Sequence, residues 1–236
     1  DSLLELNPEV LVVSNDMQSP SHLYRVENTV AAFWMIGKNA AWVNRTTFKS
    51  LQVLPRNTRI VIFWRTSEKL EAYPCIGDRN DVRFIYDIDD LTFDPSAYNI
   101  EQVDGLRHIP NSVAQSLVGP VLESQRNLIN QVDLFTAPTS LLLESAMKLN
   151  PNVSLWPNVL SQSDLESSNT ILFSKKESTK EQLTIGYASG SKTHNADFNL
   201  IARPLHDYLK QNPKANLEIL GLLDLPSVLQ EFKSYG

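Results

Sequence analysis

Arg83-Phe84-Ile85-Tyr86-Asp87-Ile88-Asp89-Asp90-Leu91-Thr92-Phe93-Asp94 is the stretch whose reading decides the fold. Phe84, Ile85, Tyr86 and Ile88 read as a strand, with Asp87, Asp89 and Asp90 at its carboxyl end. Open α/β sheets bind ligands beyond that end of their strands. Carboxylates crowded there repel one another, so at least one is expected to have a shifted pKa or a bound partner. The plainer reading makes them solvated caps of the next turn. Strand alternation puts Asp87 and Asp89 on one face and Asp90 on the other.

Working outward, Val10–Ser14 is an apolar run of the kind that forms a buried parallel strand. Leu23, Val26, Val30, Phe33 and Trp34 follow at helical spacing, with Gly37 as a stop. Further strands are predicted at 40–43, 59–64, 134–137 and 153–156. A short helix over 48–53 ends before Pro55, another lies behind Pro120, and Thr139 or Ser140 caps a helix over 140–149. Strands alternating with helices indicate βαβ units and a doubly wound parallel sheet over residues 1–160. Residues 161–182 are polar and weakly periodic, which predicts a linker, with Ile171-Leu172-Phe173 docking on a neighbouring domain. A new unit begins at Leu183–Tyr187, with a helix over 195–211 and a strand over 217–220. Residues 183–236 are too few for a whole Rossmann-like unit, which takes on the order of 150 residues. The expectation is a second domain present only in part.

The chain has 236 residues, 42% of them apolar and 20% charged, which is ordinary for a globular protein. Its net charge of −6 and the lack of any Lys/Arg run argue against nucleic acid as principal ligand. No apolar stretch reaches the about 18–20 residues of a membrane span, and the opening residues lack signal-peptide features. Cys75 is the only cysteine, which excludes an internal disulfide or a cysteine zinc site and fits a reducing compartment. It reads as a half-buried loop residue. The expected setting is the cytoplasm.

Three further places carry candidate chemistry. Ser19, His22 and Arg25 lie in the first strand–helix connection. Arg25 could grip a phosphate or carboxylate bidentately or serve a salt bridge near Glu27, while His22 has no second histidine or cysteine at metal-ligand spacing, and His108 and His206 read as structural or surface groups. Gly186-Tyr187-Ala188-Ser189-Gly190-Ser191-Lys192-Thr193-His194 joins a strand to a helix, where backbone amides and the helix dipole favour an anion such as a diphosphate. It lacks a P-loop or full Gly-x-Gly-x-x-Gly pattern, and a tight turn with an N-cap explains it equally. Pro157 and Asn158 end the sixth strand, either as a simple turn or at a crossover between domains.

In this order, Tyr86–Asp90 with Leu91-Thr92-Phe93, then Asp133–Thr139, Pro157–Leu160 and Ile185–Phe198, the chain resembles the GT-B glycosyltransferases, in particular a GT4-like bacterial group acting in polysaccharide or glycan assembly. The resemblance implies two Rossmann-like domains facing a cleft. The first binds a glycan or lipid-linked acceptor and the second a nucleotide-sugar, with retention and no metal. It implies Asp89 and Asp90 as catalytic groups and Ser19, His22, Arg25 and Asp87 on the acceptor side. Gly190, Ser191, Lys192 and His194 fall on the donor side, and Pro157 and Asn158 between the domains. Peripheral association with the inner face of a membrane follows for a lipid-linked acceptor. The donor-holding acidic motif of the family would lie beyond Gly236, so this chain alone is expected to bind a nucleotide-sugar poorly.

Other readings stand beside it. Asp87-Ile88-Asp89-Asp90 resembles the first motif of haloacid-dehalogenase-type phosphatases, with Asp87 as nucleophile, Asp89 as acid/base and magnesium between them. Leu91 stands where that motif has Thr. Asp87-Ile88-Asp89 also resembles the metal-binding motif of GT-A transferases, which the restart at Leu183 disfavours. A non-catalytic binding module derived from a transferase completes the set.

Overall fold

The computed structural model describes residues 2–15, 17–77, 80–96, 110–174, 183–189 and 194–233. Contacts divide the chain into two compact units, Asp1–Tyr98 with Ser116–Ser167, and Asn99–Gln115 with Ser168–Gly236.

The first unit is a six-stranded, wholly parallel sheet in a Rossmann-like α/β arrangement. Its strands are β1 (Val10–Ser14), β2 (Ala40–Asn44), β3 (Ile60–Trp64), β4 (Arg83–Asp87), β5 (Leu134–Ala137) and β6 (Val153–Leu155), in the order β2-β1-β3-β4-β5-β6. The inner strands β1, β3 and β5 are buried on both faces along nearly their whole length, which is why they read as continuous apolar runs. Leu11, Val13, Val61, Phe63, Tyr86 and Phe135 belong to a large core on one face. Val10, Val12, Ile62 and Trp64 belong to a smaller core on the other, with Val26.

Helices follow from local chemistry. A short α1 (Ser2–Leu6) precedes β1. After β1, a π turn at Leu23–Glu27 runs into α2 (Asn28–Met35), with the Asn28 N–H donating to Leu23 O. Gly37, at φ +76°, supplies the left-handed stop. α3 spans Arg45–Ser50, starting and ending earlier than its apolar spacing predicts, because Asn44 Oδ1 accepts from Thr47 N at 2.7 Å and fixes its start. α4 (Asn111–Gln131) likewise begins well before Pro120, which lies inside it. α5 (Ser140–Ala146) is capped by Thr139. Asp133, at the entry to β5, accepts from Phe84 N at 2.8 Å and pairs with Arg83, registering β5 against β4.

The stretch read as a linker, for which no helix was predicted, is helical over α6 (Gln162–Ser174). Ser161 and Asp164 form a reciprocal capping box, Asp164 N donating to Ser161 Oγ and Ser161 N to Asp164 Oδ2, both at 3.1 Å. Local capping wins there over weak amphipathicity. Ile171, Leu172 and Phe173 on this helix are exposed.

The second unit is built on a β-α-β element: β7 (Thr184–Ser189), α7 (Asn195–Gln211) and β8 (Asn216–Gly221), the strands parallel. Phe198, Ala202 and Leu209 of α7 pack with Leu229 and with Tyr187, Leu217 and Ile219. Gly221 has φ +99°, and a Cβ there would fall 1.6 Å from the Ser189 carbonyl oxygen, so only glycine fits. Among the described residues no helix is long and apolar enough to cross a membrane.

Candidate functional site

The strand order reverses between β1 and β3, and an open α/β sheet has its ligand crevice beyond the carboxyl ends at such a point. One rung at the carboxyl end of the sheet is unusual for a parallel core. Asn44, Ser14, Trp64, Asp87, Thr136 and Ser154 are successive register partners across all six strands. Apart from Trp64, the apolar pattern therefore gives way to polar side chains, on the face covered by the π turn, at the level where the crevice begins.

Two arginines organise this end of the sheet. Arg25, carried inward by the π turn, is 2% exposed and meets Asp87, which is 4% exposed. Its Nε donates to Asp87 Oδ2 at 2.9 Å and its Nη2 to Asp87 Oδ1. Nη1 donates to Trp156 O at 2.5 Å and to Asn158 Oδ1 at 3.2 Å. Thr136 Oγ1 completes the carboxylate at 2.6 Å. Burial pushes the Asp87 carboxyl upward, against the pull of Arg25 and Thr136. Asn28 Nδ2 donates to Val159 O at 3.0 Å, so residues 156–159 are stapled to the π turn.

Arg65 follows β3 with φ +54°, a left-handed backbone conformation uncommon for any residue but glycine. Its guanidinium lies 5.1 Å from the Trp64 ring centre. Nε donates to Asp89 Oδ1 at 2.6 Å, Nη2 to Asp90 Oδ2 at 2.5 Å, and Nη1 to Ser19 Oγ at 3.4 Å. Asp89 is nearly covered, its side chain 9% exposed, whereas that of Asp90 is 56% exposed. The protein packed around Asp90 raises its carboxyl, and the Asp89 charge adds to that while Arg65 opposes it.

The three aspartates are therefore split between two guanidinium groups. β4 ends at Asp87, so alternation does not reach Asp89, and Asp89 shares a partner with Asp90 rather than a face with Asp87. Arg25 and Asp87, expected on the acceptor side, are instead buried on each other. Asn158, expected between domains, places its side chain on Arg25 within the six-stranded unit, and Pro157 beside it is exposed. His22 is buried, 4.8 Å from Trp42 and 5.9 Å from Trp64 ring to ring, with Nδ1 3.3 Å from Glu27 Oε1. Ser19 remains at the crevice, accepting from Ser21 N as well as Arg65. Of the donor-side expectations, Gly190, Ser191 and Lys192 lie outside the described residues. His194 stands before α7 with Nδ1 3.1 Å from Asp197 Oδ2. His108 also lies outside the described residues, and His206 is held between Asp207 and Glu231.

Beside Arg65 and its partners, a cavity of about 530 Å³ opens over the ends of β1 and β2. Ser14, Asn15, Gln18, Asn44, Thr46 and Thr47 give it hydroxyl and amide groups, with Arg45 and Met17. Ser14 is fully buried, and its Oγ has no hydrogen-bond partner among the described residues. Among the described residues no group of three His, Cys, Asp or Glu side chains is placed to hold a metal ion.

No protein-family model matches this chain, and no curated protein is significantly similar to it. What stands on its own residues is a Rossmann-like parallel sheet with a polar crevice at its switch point. Such sheets serve many nucleotide-binding enzymes.

The residue that sequence reasoning missed is Arg65. Trp64-Arg65-Thr66 carries no glycine to announce a left-handed turn, and nothing in its spacing pairs it with Asp89 and Asp90. The signal available was electrostatic, since adjacent carboxylates at a strand end attract a cation, and Arg65 directly follows the strand next to theirs.

Proposed function

We propose that this chain acts as a glycosyltransferase of the GT-B kind, moving a sugar from a nucleotide-sugar to a glycan or lipid-linked acceptor bound at the six-stranded unit. The observation that carries the reading is the pair Asp89 and Asp90 at the switch-point crevice. Each carboxylate gives one oxygen to Arg65, while Asp89 Oδ2 and Asp90 Oδ1 take no hydrogen bond among the described residues. Two fixed acceptor oxygens suit the hydroxyl groups of a saccharide, and either carboxylate is suited to take the proton of the attacking hydroxyl as the new bond forms. The neighbouring cavity, lined by hydroxyls and amides, offers hydrogen bonds to further sugar hydroxyls. On the donor side, the residues before α7 would meet the diphosphate, with Lys192 and the helix dipole supporting its departure.

The phosphatase reading needs Asp87 as an open nucleophile. Both of its oxygens are held by Arg25, and one also by Thr136, so this geometry disfavours it.

The experiment is sugar transfer by the protein as the cell makes it, from a panel of nucleotide-sugars to glycan and lipid-linked acceptors, with products read by mass spectrometry. The expected result is one added sugar residue on an acceptor, lost in the Asp89→Asn/Asp90→Asn double variant. Release of phosphate from aryl phosphates, abolished by Asp87→Asn, would replace this reading with the phosphatase.

A further inference from the structure

We propose that Arg65 is a positioning residue that fixes the Asp89 and Asp90 carboxylates in orientation and in charge. The inference rests on the reading of that pair as the acceptor-side groups.

The argument begins with how a guanidinium is used. Its Nε–Nη2 edge matches the two oxygens of a single carboxylate. Arg25 uses that edge in this way on Asp87. Arg65 divides the same edge between two carboxylates, Nε to Asp89 and Nη2 to Asp90. Division leaves one oxygen of each acid without a donor among the described residues, which a bidentate grip would not do. It also sets the spacing between the two acids, because both are referred to one rigid planar group.

The guanidinium is itself held. The Trp64 ring lies 5.1 Å from it, and Ser19 accepts from Nη1 at 3.4 Å. The backbone conformation of Arg65, at φ +54°, starts the side chain in a direction an ordinary strand residue does not take. Of the two non-glycine residues with positive φ among the described residues, Asn7 and Arg65, the second sits at the crevice, beside the two carboxylates that the guanidinium fixes. A purely structural strut would need only one of these contacts.

Charge leads to the same assignment. Adjacent carboxylates oppose each other's ionisation, and a guanidinium in contact with both offsets that repulsion. Without it, the repulsion between the two carboxylates would be unopposed.

The test is carbon-detected NMR titration of the Asp89 and Asp90 carboxyls in the whole chain, for wild type, Arg65→Gln, Arg65→Lys and Arg65→Gly. Glycine accepts the left-handed backbone, so Arg65→Gly removes the guanidinium without adding strain and covers the case in which Arg65→Gln folds poorly. The expected result is that Arg65→Gln and Arg65→Gly raise at least one of the two carboxyl midpoints by about one unit or more, as loss of a contacting cation does. Arg65→Lys, which keeps the charge without the fork, should restore part of that shift. Midpoints unchanged in both neutral variants would overturn the proposal, even if stability fell. If the midpoints shift and wild type transfers no sugar to any acceptor, the hold of Arg65 on the two acids stands and the glycosyltransferase reading fails.

Discussion

Arg25 with Asp87 and Arg65 with Asp89 and Asp90 are built from the same chemical groups at the same end of one sheet, and they serve different ends. In the first, one guanidinium meets one carboxylate in full, under the π turn, with Thr136, Trp156 and Asn158 completing the contacts. In the second, one guanidinium is divided between two carboxylates, one covered and one open to solvent. A buried ion pair whose hydrogen bonds are all met within the protein has little left for a ligand. A divided pair leaves one acceptor oxygen of each acid without a donor among the described residues. What separates structure from candidate chemistry here is saturation of the carboxylates, not the identity of the residues.

The largest expected effect lies in the closed pair. Arg25→Met or Asp87→Leu alone strands a buried charge and should cost about 3–5 kcal/mol in urea unfolding. The double variant Arg25→Met/Asp87→Leu should recover most of that, since a buried pair replaced by apolar groups is often neutral. Single variants costing under about 1 kcal/mol would erase the distinction between the two arginines.

Cys75 sharpens the comparison from the opposite face of the sheet. It is buried in the large core near Phe48 O, and burial pushes its thiol up to about 11. The unfolded thiol ionises first, so stability is fully present below its ordinary value of 9.0 and is lost as pH rises from there through about 11. Burial raises the Tyr73 hydroxyl as well, in the same direction. At neutral pH an alkylating reagent should reach Cys75 only through unfolding. Its labelling rate should therefore climb steeply in Arg25→Met and hardly change in Arg65→Gln. Equal acceleration in both would mean that Arg65 also supports the core.

The smallest expected effect is the stability of Arg65→Gly. Loss of partly exposed ion pairs costs about 0–1 kcal/mol, and relief of the left-handed backbone returns a similar amount. Thermal unfolding should stay close to wild type. A loss above about 2 kcal/mol would place Arg65 with Arg25 as a structural group.

Much of this molecule is legible in its sequence, and the exceptions have physical causes. β1, β5 and α7 were readable to the residue because apolar runs and helical spacing dominate there. α6 was missed because its apolar positions are few, although Ser161-Gln162-Ser163-Asp164 spells out its capping box. The acidic stretch was readable as a cluster at a strand end, but not its partition between two arginines. Arg25 is distant in sequence from Asp87, and the turn that aims Arg65 has no glycine to mark it. Long-range ion pairing and a strained backbone leave no periodic trace.

The most direct measurement compares sugar transfer by Asp89→Asn/Asp90→Asn with that of wild type, in the protein as the cell makes it, with melting temperatures recorded alongside. The account predicts a loss of about 100-fold or more, the scale of a lost proton-transfer group, at an unchanged melting temperature. Transfer retained by the double variant would contradict it.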